Sequence, residues 1–211
     1  MSLNNLTNIE HQEKVLIFDI DDTLYKRNEL FRKEDTKIWI DKYNELQSKD
    51  KSMPPFDDNL ISLQLENEKL YSFRKRVTYE AEESKDESFY RKYLEEDKAL
   101  IESLNAIPYN KWCFTNAPRK RAETILNILG IADCFEGVFY PCYTESIGKP
   151  KDNSYEFVER YLKITDPTKI YFFDDLMKNI EVANIRRWNG IHVKANDDIK
   201  DLLKNFNSNI L

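Results

Sequence analysis

Short, nearly unbroken apolar runs recur along the chain, each closing on polar or acidic residues. The first covers residues 14–20 (KVLIFDI), and the design returns at 112–115 (WCFT), 137–140 (GVFY), 169–173 (KIYFF) and 191–193 (IHV). Runs of this length suit strands buried on both faces of a parallel sheet. Between the later runs the pattern becomes helical. Residues 118–129 open with a proline in the first turn and stop at Gly130, a common start and end for a helix. Residues 153–162, 177–188 and 197–206 are amphipathic in the same way. From Lys111 onward strand and helix alternate, which predicts an α/β fold: a Rossmann-like parallel sheet with helices on both faces.

The stretch from 26 to 105 breaks the alternation. Its patterns are helical at 30–46, 60–79 and 88–104, with Pro54 and Pro55 separating the first two. The economical organisation is an α/β core built from residues 1–25 and 106–211, with 26–105 inserted as a helical cap subdomain. Because the insertion leaves directly after an acidic motif, it is expected to stand over the site.

Composition narrows the classes. The 211 residues are 41% hydrophobic and 33% charged, with a formal net charge of -6, as in soluble globular chains. No run of Lys and Arg suggests nucleic-acid binding, so a phosphorylated ligand must be drawn in by local cations or a metal. No apolar stretch approaches the roughly 20 residues that span a bilayer, and the polar start MSLNNLTNIEHQEK lacks the apolar centre of a signal peptide. The three cysteines, Cys113, Cys134 and Cys142, lack metal-ligand spacing and read as free thiols of a reducing compartment, the cytoplasm. His11 and His192 are the only histidines, which disfavours a His-based zinc site or a Ser-His-Asp triad. The chemistry falls to carboxylates, lysines and hydroxyls.

The motif Asp19-Ile20-Asp21-Asp22-Thr23 follows the first strand. Open parallel sheets bind ligands beyond the carboxyl ends of their strands. Residues two apart in extended chain point to one side, so Asp19 and Asp21 can face the same ligand. Clustered carboxylates repel unless a cation or a shared proton intervenes, and magnesium suits oxygen ligands and a phosphate substrate. Asp19 would attack phosphorus; Asp21 would protonate the leaving oxygen and later activate water. Asp22 and Thr23 serve equally well as loop or cap residues.

Three further strand ends carry the same abrupt polarity. Thr115 and Asn116 can donate to phosphate oxygens beside the N-terminus of the next helix, although Thr-Asn before Ala-Pro is equally good N-cap chemistry. Lys149 in Gly148-Lys149-Pro150-Lys151 can neutralise a phosphoryl group and the nucleophile. It is preferred to Lys151 because the following proline restricts its backbone. Asp174 and Asp175 end another buried strand, where one would ligate the metal and the other hold a coordinated water, with Asn179 supporting that shell.

These four motifs, in this order, resemble those of the haloacid dehalogenase-like hydrolase superfamily over residues 14–25 and 111–195. Within it, FDIDDTLYK, FTNAPRKRAETILNILGIADCFEGVFY, GKPKDNSYEFV and FFDDLMKNIEVA resemble the pyrimidine 5′-nucleotidase branch, and Lys149, Pro150 and Tyr155 match its Lys-Pro pattern with an aromatic six residues on. The resemblance implies Asp19 as nucleophile and metal ligand, and Asp21 as acid/base that also offers its backbone carbonyl to Mg2+. It implies Thr115, Asn116 and Lys149 as phosphate-binding, with Lys149 neutralising charge. Asp174 and Asp175 would hold magnesium, Asp175 directly.

Within that superfamily the residue at 21 discriminates. A dehalogenase has no alkoxide to protonate, a phosphonatase lacks the second Asp, and ion-pumping ATPases carry Thr there. The expected activity is Mg2+-dependent hydrolysis of small phosphomonoesters, including pyrimidine nucleoside 5′-monophosphates, through an aspartyl-phosphate. Sugar-phosphate or phosphoglycolate hydrolysis is the alternative, and a non-catalytic binding protein on the same scaffold would be expected to have lost one of these residues. Leu176 departs from the small polar residue usual after the paired aspartates. The cap resembles the branch only faintly, at Tyr93-Leu94-Glu95-Glu96-Asp97-Lys98. Arg74, Lys75 and Arg76, or Arg119 and Arg121, are candidate substrate contacts or solvated helix faces, and Tyr71, Phe73 and Tyr79 are candidate base-stacking or core residues.

Overall fold

In a computed structural model of the protein, which describes residues 14–57, 68–141 and 148–208, β1 (Val15–Phe18) is buried along its whole length. It pairs in parallel with β2 (Asn110–Phe114) on one side and β4 (Ile170–Asp174) on the other. With β3 (Gly137–Phe139) and β5 (Asn189–His192) the sheet has the order β3-β2-β1-β4-β5, parallel throughout. The strand order reverses between β1 and β4, which is where a doubly wound sheet opens a ligand crevice. Phe18 lies in register with Cys113 and with Phe173, so the three central strands end at one level. Observed strand limits differ from the apolar runs by one or two residues, as helix and strand ends commonly do.

The chain divides into two units, residues 27–94 and the remainder. The unit 27–94 is helical: α1 (Glu29–Lys49), α2 (Glu68–Glu83) and α3 (Glu87–Arg91). Its apolar centre gathers Tyr43, Leu46, Met53 and Val77, with Trp39, Phe56, Leu70 and Phe73 packed against it. Buried Lys85 is held between Asp35 and Glu82, and Tyr90 donates to Glu82. The helix read at 60–79 is described from Glu68, its earlier part lying outside the described residues.

A single helix over 88–104 does not form. The segment makes α3 and then α4 (Lys98–Asn105). Asp97 caps the second, its Oδ1 accepting from Leu100 N at 3.0 Å while its own N–H donates to Leu129 O at 3.1 Å. Ser, Thr, Asn and Asp favour this cap geometry over helix interior. With Leu100 and Leu104 fully buried, α4 belongs to the sheet unit, so the inserted unit ends at Leu94 instead of 105.

The connections α5 (Arg119–Ile128), α6 (Asp152–Tyr161), α7 (Met177–Ile185) and α8 (Ile199–Ser208) complete the sheet unit. Side chains alternate across strands. Val15, Ile17, Phe114, Ile170 and Phe172 share one core with Tyr155 and Val158 of α6 and Ile180 and Ala183 of α7. On the opposite face Phe18 stacks on Phe173 at 4.7 Å between ring centroids, and Phe206 of α8 meets Tyr171 and Phe173. Gly130 stops α5 at φ 73, a left-handed conformation costly for residues with a Cβ. No helix among the described residues is long and apolar enough to cross a membrane. Cys113 and Cys134 are free thiols, the first buried; Cys142 and His11 lie outside the described residues.

Candidate active site

β1 and β4 deliver Asp19 and Asp174 side by side, and a lysine from the β3–α6 connection joins them. Lys149 Nζ lies 2.8 Å from Asp19 Oδ1 and donates to Asp174 Oδ2 at 2.6 Å. Its side chain is 1% exposed, and its ammonium also faces the rings of Phe114 and Phe172 at 5.2 and 5.3 Å. Burying a lone ammonium is prohibitive, and burying one against two carboxylates and two rings is not. Burial works against the charge, yet Asp174 and Asp19 outweigh it and hold the Lys149 pKa above the ordinary lysine value.

Asp174 is fully enclosed. Its Oδ1 accepts from Leu176 N at 2.8 Å and Asn179 Nδ2 at 2.9 Å, and its Oδ2 takes Asn179 Nδ2 at 3.0 Å besides Lys149. Asn179 therefore braces Asp174, and is itself fixed by Tyr155 Oη donating to its carbonyl at 2.9 Å. Asp175 is less enclosed, and His192 Nε2 lies 3.0 Å from its carbonyl oxygen.

Asp19, Asp174 and Asp175 each offer an oxygen within 4.8 Å of the others. Burial is the main reason the Asp19 carboxyl rises to about 7; Asp174 adds to the rise and Lys149 opposes it. Burial, then the charges of Asp174 and Asp22, lift Asp175 to about 6. Three carboxylates against one ammonium leave a surplus of two negative charges, and the donors are all oxygen. That set fits a divalent hard cation such as magnesium.

Asp21 stands outside this cluster. The chain turns back after β1 with Asp22 at φ 60 and Leu24 N donating to Ile20 O at 3.0 Å, which returns Tyr25 to a bridge with Asp21. Tyr25 Oη donates to Asp21 Oδ1. From α5, Arg121 donates through Nε to both Asp21 oxygens at 3.1 Å and through Nη2 to Oδ1 at 2.7 Å. Arg121 is 4% exposed, so it is no solvated helix face. Neither residue was legible as Asp21's partner from the motif. The available signal was that Arg121 shares a helical stripe with Ala122, Ile125 and Leu126; Arg119, one turn before Ala122, pairs with Glu123 in solvent.

Thr115 is buried, its Oγ1 accepting from Ala117 N at 3.0 Å. Asn116 closes a two-bond ring with the backbone of Lys149: Nδ2 donates to Lys149 O and Oδ1 accepts from Lys149 N, both at 2.8 Å. Its side chain thus braces the lysine loop, a use the strand-end reading did not anticipate. In the 27–94 unit, Arg76 pairs with Asp50 at 3.1 Å, Phe73 packs on the helical core, and Tyr79 is half exposed. The side chain of Tyr71 lies outside the described residues.

The parallel sheet thus carries three carboxylates and a buried lysine at its switch point. The family model for haloacid dehalogenase-like hydrolases matches residues 13–184, and the chain belongs to that family. Phosphate metabolism protein 8 of Saccharomyces cerevisiae is 27% identical over 193 residues, covering 81% of this chain; the chain spans 58% of that protein's length. L-2-haloacid dehalogenase from Xanthobacter autotrophicus is similar with a TM-score of 0.51 and 18% identity, over 85% of this chain and 76% of that one. A HAD family enzyme from Bacteroides thetaiotaomicron gives 0.57 at 16% identity, over 90% and 97%. YfnB of Bacillus subtilis, solved bound to magnesium, gives 0.53 at 11% identity, over 85% and 88%. These structures share the fold.

Proposed function

We propose that this hydrolase is a magnesium-dependent phosphomonoesterase working through an aspartyl-phosphate on Asp19. The observation that carries the reading is Asp21, a second carboxylate held apart from the acidic cluster by Arg121 and Tyr25. A departing halide needs no proton, whereas a departing alkoxide does.

An Asp19 carboxylate oxygen attacks phosphorus, the ester P–O bond breaks, and Asp21 gives the leaving oxygen a proton that it carries into the step on Oδ2, since Oδ1 accepts from Arg121 Nη2 and Tyr25 Oη. Asp21 then takes a proton from water as that water attacks the phosphoryl group, releasing inorganic phosphate and restoring Asp19. Lys149 keeps the Asp19 carboxylate and the incoming phosphoryl oxygens neutralised. Thr115, with Asn116 at the start of α5, would donate to phosphoryl oxygens, and Asn116 also keeps Lys149 in place. Asp19, Asp175 and the Asp21 carbonyl would hold Mg2+, with Asp174 joining directly or through a water. When bound, the ion would supply charge stabilisation to the phosphoryl oxygens.

The finer reading, pyrimidine nucleoside 5′-monophosphates as substrates, is supported by the resemblance of the four core segments; sugar phosphates and phosphoglycolate are the competing monoesters. The test is phosphate release from UMP, CMP, AMP, glucose 6-phosphate, phosphoglycolate and p-nitrophenyl phosphate, with and without Mg2+. Wild type should turn over one or more of them only with the metal, and Asp19→Asn should sit at background. Equal rates in the two proteins, or no hydrolysis by wild type, would overturn the proposal.

A further inference from the structure

Arg121 is a buried arginine whose acidic partner is the more exposed of the two. An arginine at the surface commonly lays its stem along apolar groups and keeps its charged head in water. Here the side chain of Arg121 is 5% exposed and that of Asp21 20%. The cation lies beneath, and the carboxylate is presented outward. The guanidinium meets it as a fork, Nε spanning both oxygens and Nη2 on Oδ1, the geometry that fixes a carboxylate's plane as well as neutralising it. A second constraint comes from the other side of the turn, where Tyr25 Oη donates to the same Oδ1. The backbone bridge between Asp21 and Tyr25 holds that hydroxyl in place. Asp21 is thus held by groups from two elements, α5 and its own turn, neither of which belongs to the Asp19, Asp174 and Asp175 cluster.

We infer that Arg121 and Tyr25 are positioning residues that aim the Asp21 carboxyl at the leaving oxygen. The inference rests on the phosphomonoesterase reading and adds residues that the four strand-end motifs do not contain. Proton transfer falls away steeply with misalignment, so loosening Asp21 should penalise the substrates that need the proton and spare those that do not.

The experiment compares kcat on two esters: the alkyl monoester of the panel above that wild type hydrolyses fastest, and p-nitrophenyl phosphate, whose phenolate leaves without a proton. Asp21→Asn, tested beside the positioning variants, should lose far more on the alkyl ester. Arg121→Ala should show the same split, losing about 100-fold on the alkyl ester and under about 10-fold on the aryl one. Added guanidinium should restore part of the alkyl activity. Tyr25→Phe keeps the ring, removes only the donated hydrogen bond and should show a smaller split in the same direction. It decides the matter if Arg121→Ala does not fold. Equal losses on both esters, or a raised KM with kcat intact, would overturn the inference, the latter making Arg121 a substrate contact. If Asp21→Asn shows the split and the positioning variants do not, this inference fails while the phosphomonoesterase reading stands. A wild type inactive on every ester removes both.

Discussion

Without divalent cations the protein should lose stability as pH rises from about 4 to 7, the reverse of what most carboxylates impose. The perturbation is removal of metal from a site whose acidic groups are buried together. Burial leads, and Asp174 adds to it against the opposing pull of Lys149, in lifting Asp19 from 3.8 to about 7. In the unfolded chain Asp19 loses its proton near 3.8, so across the window the folded protein binds a proton that the unfolded one has released. The folded state is then favoured at low pH, and the advantage drains away until the pH passes 7. Roughly 3 pH units at about 1.4 kcal/mol each give about 4 kcal/mol for Asp19, a large share of the 5–15 kcal/mol of a typical domain. Asp175, lifted to about 6 by burial and by Asp174 and Asp22, adds in the same direction at the acidic end of the window. Exposed carboxylates such as Glu45, lowered to about 2 by Lys42 and Lys49, work oppositely, and salt at about 0.5 M screens them. The assay is urea unfolding of wild type and Asp19→Asn in EDTA, from roughly pH 4.5 to 7.5. A Trp39→Phe background leaves Trp112 and Trp188 to report from the sheet unit. The amide of Asp19→Asn cannot titrate, so the variant should gain on wild type by about 3 kcal/mol across the range, the part of the whole effect that falls above about pH 4.5. Added Mg2+ at the upper pH should narrow the gap by stabilising wild type. A gap that does not change with pH refutes the argument.

Asp21→Asn should cut kcat on an alkyl monoester by about 100- to 10,000-fold in steady-state kinetics, and because it leaves the buried Arg121 guanidinium facing a neutral amide it should also cost about 1–3 kcal/mol in urea unfolding. Asn179→Ala removes the amide that contacts both Asp174 oxygens. It should weaken Mg2+ binding by about 10- to 100-fold in calorimetric titration and cost about 1–3 kcal/mol of stability. Gly130→Ala forces a side chain into φ 73 with its Cβ 3.1 Å from Ile101 Cδ1 and 3.2 Å from Glu96 Cγ. It should lower stability by about 1–2 kcal/mol in urea melts.

The strand ends were readable because a local pattern encodes them. An apolar run that stops on Asp19, Thr115 or Asp174 states where a buried strand meets the mouth of the crevice, and no distant contact is needed to infer it. The same holds for Gly130 as the stop of α5, and for the parallel order implied by alternating strand and helix. The break at Asp97 was less visible, because 88–104 keeps helical spacing while the Asp97 cap and the burial of Leu100 assign the two halves to different units. The groups that aim the chemistry are different in kind. Asn116 meets Lys149 across 33 positions, and Arg121 meets Asp21 across 100. Whether an arginine two residues into a helix lies in water or beneath a carboxylate depends on how that helix packs on the sheet, a matter of ångströms. Hydrophobic spacing therefore placed the reactive carboxylates and the lysine, while tertiary packing alone decided which buried donors orient them.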